Sequence, residues 1–100
     1  MKIDLTKLTT LFKALSDENR LKMLAHVCNC KEANVNVGSF ASCCDIDFSV
    51  VSRHLSKLKS AGVLRSVKKG KEVFYDLEGK ELAKQLRALA DFIESSNKCC

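Results

Sequence analysis

"VVSRHLSKLKSAGVLRSVKKGKEVFYDL", residues 50–77, changes its periodicity halfway, and that change decides the fold. Before Gly62 the apolar residues recur at helical spacing. Phe48, Val51, Leu55 and Leu58 mark the buried stripe of a helix that Asp47 caps. The opposite face carries Ser49, Ser52, Arg53, Ser56 and Lys57, with no acid among them. Gly62 is expected to stop the helix in a left-handed conformation. Beyond it, Val63 to Val67 and Val73 to Leu77 are rich in β-branched and aromatic residues, joined by Lys68-Lys69-Gly70-Lys71. That is the pattern of a β-hairpin with a glycine in its connection.

Working outward, a short helix over about Val37 to Cys43 and a turn at Asp45-Ile46-Asp47 precede the quoted stretch. Further upstream, Leu8, Leu11, Phe12 and Leu15 give a first helix over roughly residues 5–15. Ser16, followed by Asp17 and Glu18, is expected to cap a second, in which Leu21, Leu24, Val27 and Cys28 share a face. Residues 29–36 read as a polar connection. Downstream, a last helix from about Lys80 carries Leu82, Leu86, Leu89 and Ile93 on one side, with Ala83 and Ala90 alongside.

The expected fold is therefore mainly α with a β-hairpin wing. It is a winged helix-turn-helix occupying residues 1–100 as a single domain. A helix that exposes short polar and basic side chains suits the major groove of double-stranded DNA, where arginine pairs with guanine and serine approaches any base. Lysines at a hairpin tip suit the phosphates alongside. The plainer alternative is a helical domain with a solvated basic face.

Charge supports the first reading. Residues 49–71 hold seven basic residues and no acid, whereas the rest of the chain holds ten basic and twelve acidic ones. The whole positive excess, +5, thus lies in one contiguous quarter of the chain, a footprint suited to a polyanion. No apolar run is long enough for a membrane span, and the N-terminus lacks a secretory pattern, so the expected compartment is the cytoplasm. Thiols stay reduced there, and six cysteines then point to metal or redox chemistry rather than a disulfide scaffold.

The blocks "LFKALSDENRLKML" (11–24) and "VVSRHLSKLKSAGVLRSVKKGKEVFYDL" (50–77) resemble the ArsR/SmtB metal-responsive repressors. The resemblance implies a homodimer joined through its first and last helices, bound to a two-fold operator and released by a metal or metalloid. It also implies a DNA-facing set of Ser49, Ser52, Arg53, His54 and Ser56. Lys57, with the wing lysines Lys68, Lys69 and Lys71, completes the expected interface. Two sensor sites familiar in that family are not rebuilt here. Asn36, Val37, Gly38 and Ser39 stand where a Cys-x-Cys pair would, and no histidine follows His54 to accompany Asp91 and Glu94.

The inducer must then be argued from the cysteines, which occur as Cys28-x-Cys30, Cys43-Cys44 and Cys99-Cys100. A lone cysteine is ordinarily a small buried hydrophobe, a fair reading of Cys28. Adjacent cysteines on a helix diverge by about 100°, so one apolar face hardly buries both Cys43 and Cys44. Soft thiolates select soft acceptors. Trivalent arsenic and antimony take three sulfurs in a pyramid, while zinc and cadmium prefer four ligands in a tetrahedron. The expected site joins Cys43 and Cys44 to Cys99 or Cys100, with As(III) or Sb(III) as inducer and no organic cofactor. Cys28 and Cys30 form a second site or part of the first. The alternatives are a cadmium, mercury or zinc sensor, a structural zinc on Cys28, Cys30, Cys43 and Cys44, or a thiol redox or persulfide sensor linking Cys28 or Cys30 to Cys99 or Cys100. An enzyme is not expected: there is no Cys-x-x-Cys and no pocket-forming second domain.

Overall fold

A computed structural model describes residues 3–30 and 35–96. The elements run α1 (Leu5–Leu15), α2 (Glu18–Asn29), β1 (Val35–Asn36), α3 (Val37–Cys44), α4 (Phe48–Ser60), β2 (Leu64–Lys69), β3 (Glu72–Leu77) and α5 (Gly79–Ser95). This is the expected winged helix-turn-helix with one addition. The polar connection before α3 ends in a short strand, and the wing is a three-stranded antiparallel sheet in the order β1-β3-β2. Val35 pairs with Tyr75 and Asn36 with Phe74. Two residues carry no readable alternation, which is why the strand escapes a pattern search.

Short polar residues open the first helices. Asp4 Oδ1 accepts from Lys7 N at 3.0 Å at the start of α1. Asp17 Oδ2 accepts from Arg20 N at 3.1 Å at the start of α2. Ser16 is thus not the cap of α2: it ends α1, and its hydroxyl donates back to Lys13 O at 2.9 Å. Asn36 caps α3 through Ser39 N at 2.9 Å. The end of α4 is a Schellman motif, with Gly62 N bonded to Lys59 O and Val63 N to Leu58 O while Gly62 adopts φ 80°.

The core lies where α2, α3, α4 and the sheet meet, and Phe40, Met23, Leu55, Leu58, Leu64, Val51 and Val63 are fully buried there. Phe40 is its centre, edge-on to His26 at 5.7 Å and to Tyr75 at 6.1 Å between ring centroids. Two expected faces are shifted. On α2 the buried residues are Arg20, Met23 and Val27, so Leu21 and Cys28 are exposed. Phe48, the first residue of α4, stands beyond the edge of the core and is 62% exposed. Among the described residues no helix is long and apolar enough to cross a membrane.

Candidate DNA interface and thiol cluster

Helix α4 is fixed from behind by Val51, Leu55 and Leu58. Rigid anchoring of those three leaves Ser49, Ser52, Arg53, Ser56 and Lys57 exposed together on its outer side. At the wing, β2 and β3 keep their register from Leu64↔Leu77 out to Lys69↔Glu72, so only Gly70 and Lys71 form the turn. Gly70 takes φ 63°, which the tight connection requires. Lys68, Lys69 and Lys71 are exposed there, with Lys69 Nζ 5.9 Å from the Phe74 ring centroid. Arg65 is spent differently. It donates to Asp76 at 2.9 Å and to Glu78 at 3.4 Å, and this pairing holds the Asp76 carboxyl below its usual range and the Arg65 guanidinium above its own.

His54 does not join the outward face. Its side chain is 13% exposed, with Nδ1 3.0 Å from Arg20 Nη1 and Nε2 3.8 Å from Asp17. Beside a guanidinium donor, Nδ1 must accept, so the ring is neutral in this arrangement. Burial lowers its pKa, against the pull of Asp17 and with the repulsion of Arg20, Lys57 and Arg53. Arg20, which a search for apolar periodicity overlooks, is 9% exposed and also donates to Ala14 O and Lys13 O at the end of α1. One buried guanidinium therefore ties α1, α2 and the recognition helix together. Asn36 does something similar for the wing, donating to Glu72 at 3.2 Å while capping α3.

Two adjacent thiols close α3. Cys43 Sγ is 2.9 Å from Cys44 Sγ and donates to Phe40 O at 3.2 Å. Cys43 as a residue is exposed, but its sulfur is turned toward that carbonyl and its neighbour. Burial of the sulfur, then the Cys44 hydrogen bond and the charges of Cys44 and Cys30, push the Cys43 thiol up to about 12. At neutral pH Cys43 is a thiol, not a thiolate. Cys30, at the end of α2, is half-buried with Sγ 3.9 Å from His26 Nε2, whereas Cys28 points to solvent. Cys99 and Cys100 lie outside the described residues. Among the described residues no three His, Cys, Asp or Glu side chains already converge as an ion-binding group. The donor chemistry fits a soft ion, and the pair at Cys43 and Cys44 is the most closely gathered part of it.

A helix-turn-helix with a solvent-facing basic helix, flanked by a lysine-tipped wing, defines a DNA-binding regulator. The chain is 33% identical over 91 residues to the cadmium resistance transcriptional regulatory protein CadC of Listeria innocua, covering 91% of this chain and 75% of that one. Among solved structures, an ArsR-like transcriptional regulator from Rhodococcus superposes with a TM-score of 0.79 at 30% identity, over 93% of this chain and 85% of that one. A homodimeric winged helix-turn-helix domain from Mycobacterium bovis shares the fold, with a TM-score of 0.72 at 24% identity over 92% and 82% of the two chains. No family model matches. The chain belongs to the ArsR/SmtB family of transcriptional regulators, and is a DNA-binding regulator rather than an enzyme.

Proposed function

We propose that this regulator is a homodimeric repressor that holds a two-fold operator and lets go when a thiophilic ion binds its cysteines. Ser49, Ser52, Arg53, Ser56 and Lys57 read the major groove, and Lys68, Lys69 and Lys71 meet phosphates beside it. His54 stays with Arg20 and orients the helix instead of touching bases. The inducer is As(III) or Sb(III) bound through Cys43 and Cys44, which supply two of the sulfurs that it takes.

One observation carries this reading. Two sulfurs 2.9 Å apart end α3, and the next residue, Asp45, turns the chain into α4 with φ 53° and ψ 52°. A ligand held by both sulfurs therefore acts on the joint that aims the recognition helix. Chelation by neighbouring thiols gains from effective concentration, since the second bond is intramolecular. The resemblance to a cadmium resistance regulator supports a second reading, in which cadmium is the ion.

The test uses a duplex that the reduced protein itself selects from a random pool. Arsenite, antimonite and cadmium are then titrated into the complex while fluorescence anisotropy follows release. Arsenite or antimonite should release the wild type, and Cys43→Ser or Cys44→Ser should bind DNA normally yet hold it. Release of both variants at wild-type concentrations sinks the assignment, and release by cadmium alone selects the second reading.

A further inference from the structure

Cys43 and Cys44 give an ion two sulfurs, and a trivalent metalloid takes three. Helices α2 and α3 pack on each other, and Cys30 at the end of α2 offers a third sulfur within the same protomer. On α2, His26 and Cys30 are four residues apart and share a face, as do Ser39 and Cys43 on α3. Those two faces meet. His26 Nε2 lies 2.7 Å from Ser39 Oγ, and its ring stands edge-on to Phe40 at 5.7 Å. The carbonyl of that same Phe40 receives Cys43 Sγ at 3.2 Å, and Cys30 Sγ sits 3.9 Å from His26. Cys30 thus touches His26, and Cys43 touches the backbone of Phe40, the residue whose ring packs on His26. Cys30 and Cys44 are both half-buried against the core rather than free in solvent.

We infer that Cys30 is the third ligand, completing with Cys43 and Cys44 a trithiolate site that straps the end of α2 to the end of α3 in one protomer. Cys30 has this part only if Cys43 and Cys44 bind the ion, as proposed above. The three groups do not converge beforehand, so coordination has to draw α3's last turn toward α2. That displacement is the signal, because only Asp45, Ile46 and Asp47 separate Cys44 from the start of α4. With arsenite the step balances simply: three As–OH bonds break, three S–As bonds form, and the thiol protons leave with the hydroxides as three waters. No electron changes hands. Cys28 is exposed to solvent and takes no part in this site.

The test is native mass spectrometry of the full-length reduced protein with arsenite, paired with the DNA-release titration. The double variant Cys99→Ser/Cys100→Ser should still gain one arsenic per subunit with loss of three hydrogens, and should release DNA as the wild type does. Adding Cys30→Ser or Cys30→Ala to it should abolish the three-hydrogen product and raise the arsenite needed for release about tenfold or more. Adding Cys28→Ser should change neither. Each variant must first bind DNA like the wild type without arsenite, and Cys30→Ala serves where the serine disturbs packing. Three-hydrogen loss that survives removal of Cys30, or that vanishes with Cys99 and Cys100, overturns the assignment of the third ligand. Unchanged arsenic uptake and release by Cys43→Ser/Cys44→Ser would instead overturn the sensor reading itself.

Discussion

His54 shows how much a single residue's role depends on partners far away in the chain. It sits on the edge of the buried stripe of α4, between the anchored Val51 and Leu55 and the exposed Arg53. Helical spacing leaves such an edge position undecided. What turns it inward is Arg20, 34 residues earlier, whose own burial is unreadable from a pattern of apolar residues. By contrast Ser49, Ser52, Arg53, Ser56 and Lys57 were legible because three buried neighbours fix the opposite face. The His54 contact also carries a pH dependence. Its pKa is lowered from 6.5 by burial, with Asp17 opposing and Arg20, Lys57 and Arg53 reinforcing. A group that resists protonation in the folded state contributes stability that is full above its unfolded pKa and lost as pH falls below it. The melting temperature of the wild type should therefore decline from about pH 7.5 toward pH 5. His54→Gln keeps a neutral polar side chain and should flatten that part of the curve. An unchanged slope in the variant would mean that some other group carries the dependence.

At the scale of elements, the boundaries that special backbone geometry sets are the ones that sequence reading located best. Gly62 and Gly70 both adopt positive φ, and each marks the end it was expected to mark. Nothing lies within 4 Å of a Cβ added at Gly62, so Gly62→Ala should cost only the left-handed backbone penalty, about 1–2 kcal/mol. Urea unfolding should show this as a lower midpoint at unchanged slope. A loss well beyond that would point to packing that the open surroundings of Gly62 do not contain. The missed element, β1, is too short for alternation to register and exists because β3 offers it an edge. For the wing, exposure divides the basic residues into two kinds. Arg65 is paired with carboxylates, whereas Lys68, Lys69 and Lys71 are exposed around the tip of the sheet. Replacing a wing lysine that meets a phosphate should weaken binding evenly across sequences. It should also reduce the slope of log K against log salt by about 0.9 for each phosphate left without its lysine. Arg53→Ala should do the opposite, relaxing preference at one base pair at a cost of about 1–3 kcal/mol. Equal behaviour of the two variants would contradict the division of labour between helix and wing.

At the scale of the whole molecule, the fold is elongated rather than spherical. Its radius of gyration is 15.3 Å, against about 13 Å for a compact domain of this length. It measures 54 Å along one axis and 22 Å along the other two. The apolar stripe of α5, predicted from Leu82, Leu86, Leu89 and Ile93, is covered only at its start. Leu82 is buried and Leu89 half-buried, but Leu86, Phe92 and Ile93 are exposed, and so are Leu5 and Phe12 on α1. Large apolar side chains left exposed on both helices suit an interaction surface. A second copy of the same surface is the occupant that the proposed function requires. A two-fold pair of α1 and α5 helices would set two α4 helices toward adjacent major grooves, about 34 Å apart along the duplex. The thiol strap between α2 and α3 would then act on the angle of each head within that fixed frame. Light scattering should give twice the chain mass at micromolar concentration, and Ile93→Glu with Phe92→Glu should give a monomer of unchanged helicity. Losing the second half-site should weaken that monomer on a two-fold operator by about 10²-fold or more, while leaving its affinity for a single half-site alone. A monomeric variant that binds the full operator as well as the wild type would remove the basis for release by reorientation, since two heads that need not match a spacing cannot be switched by changing it.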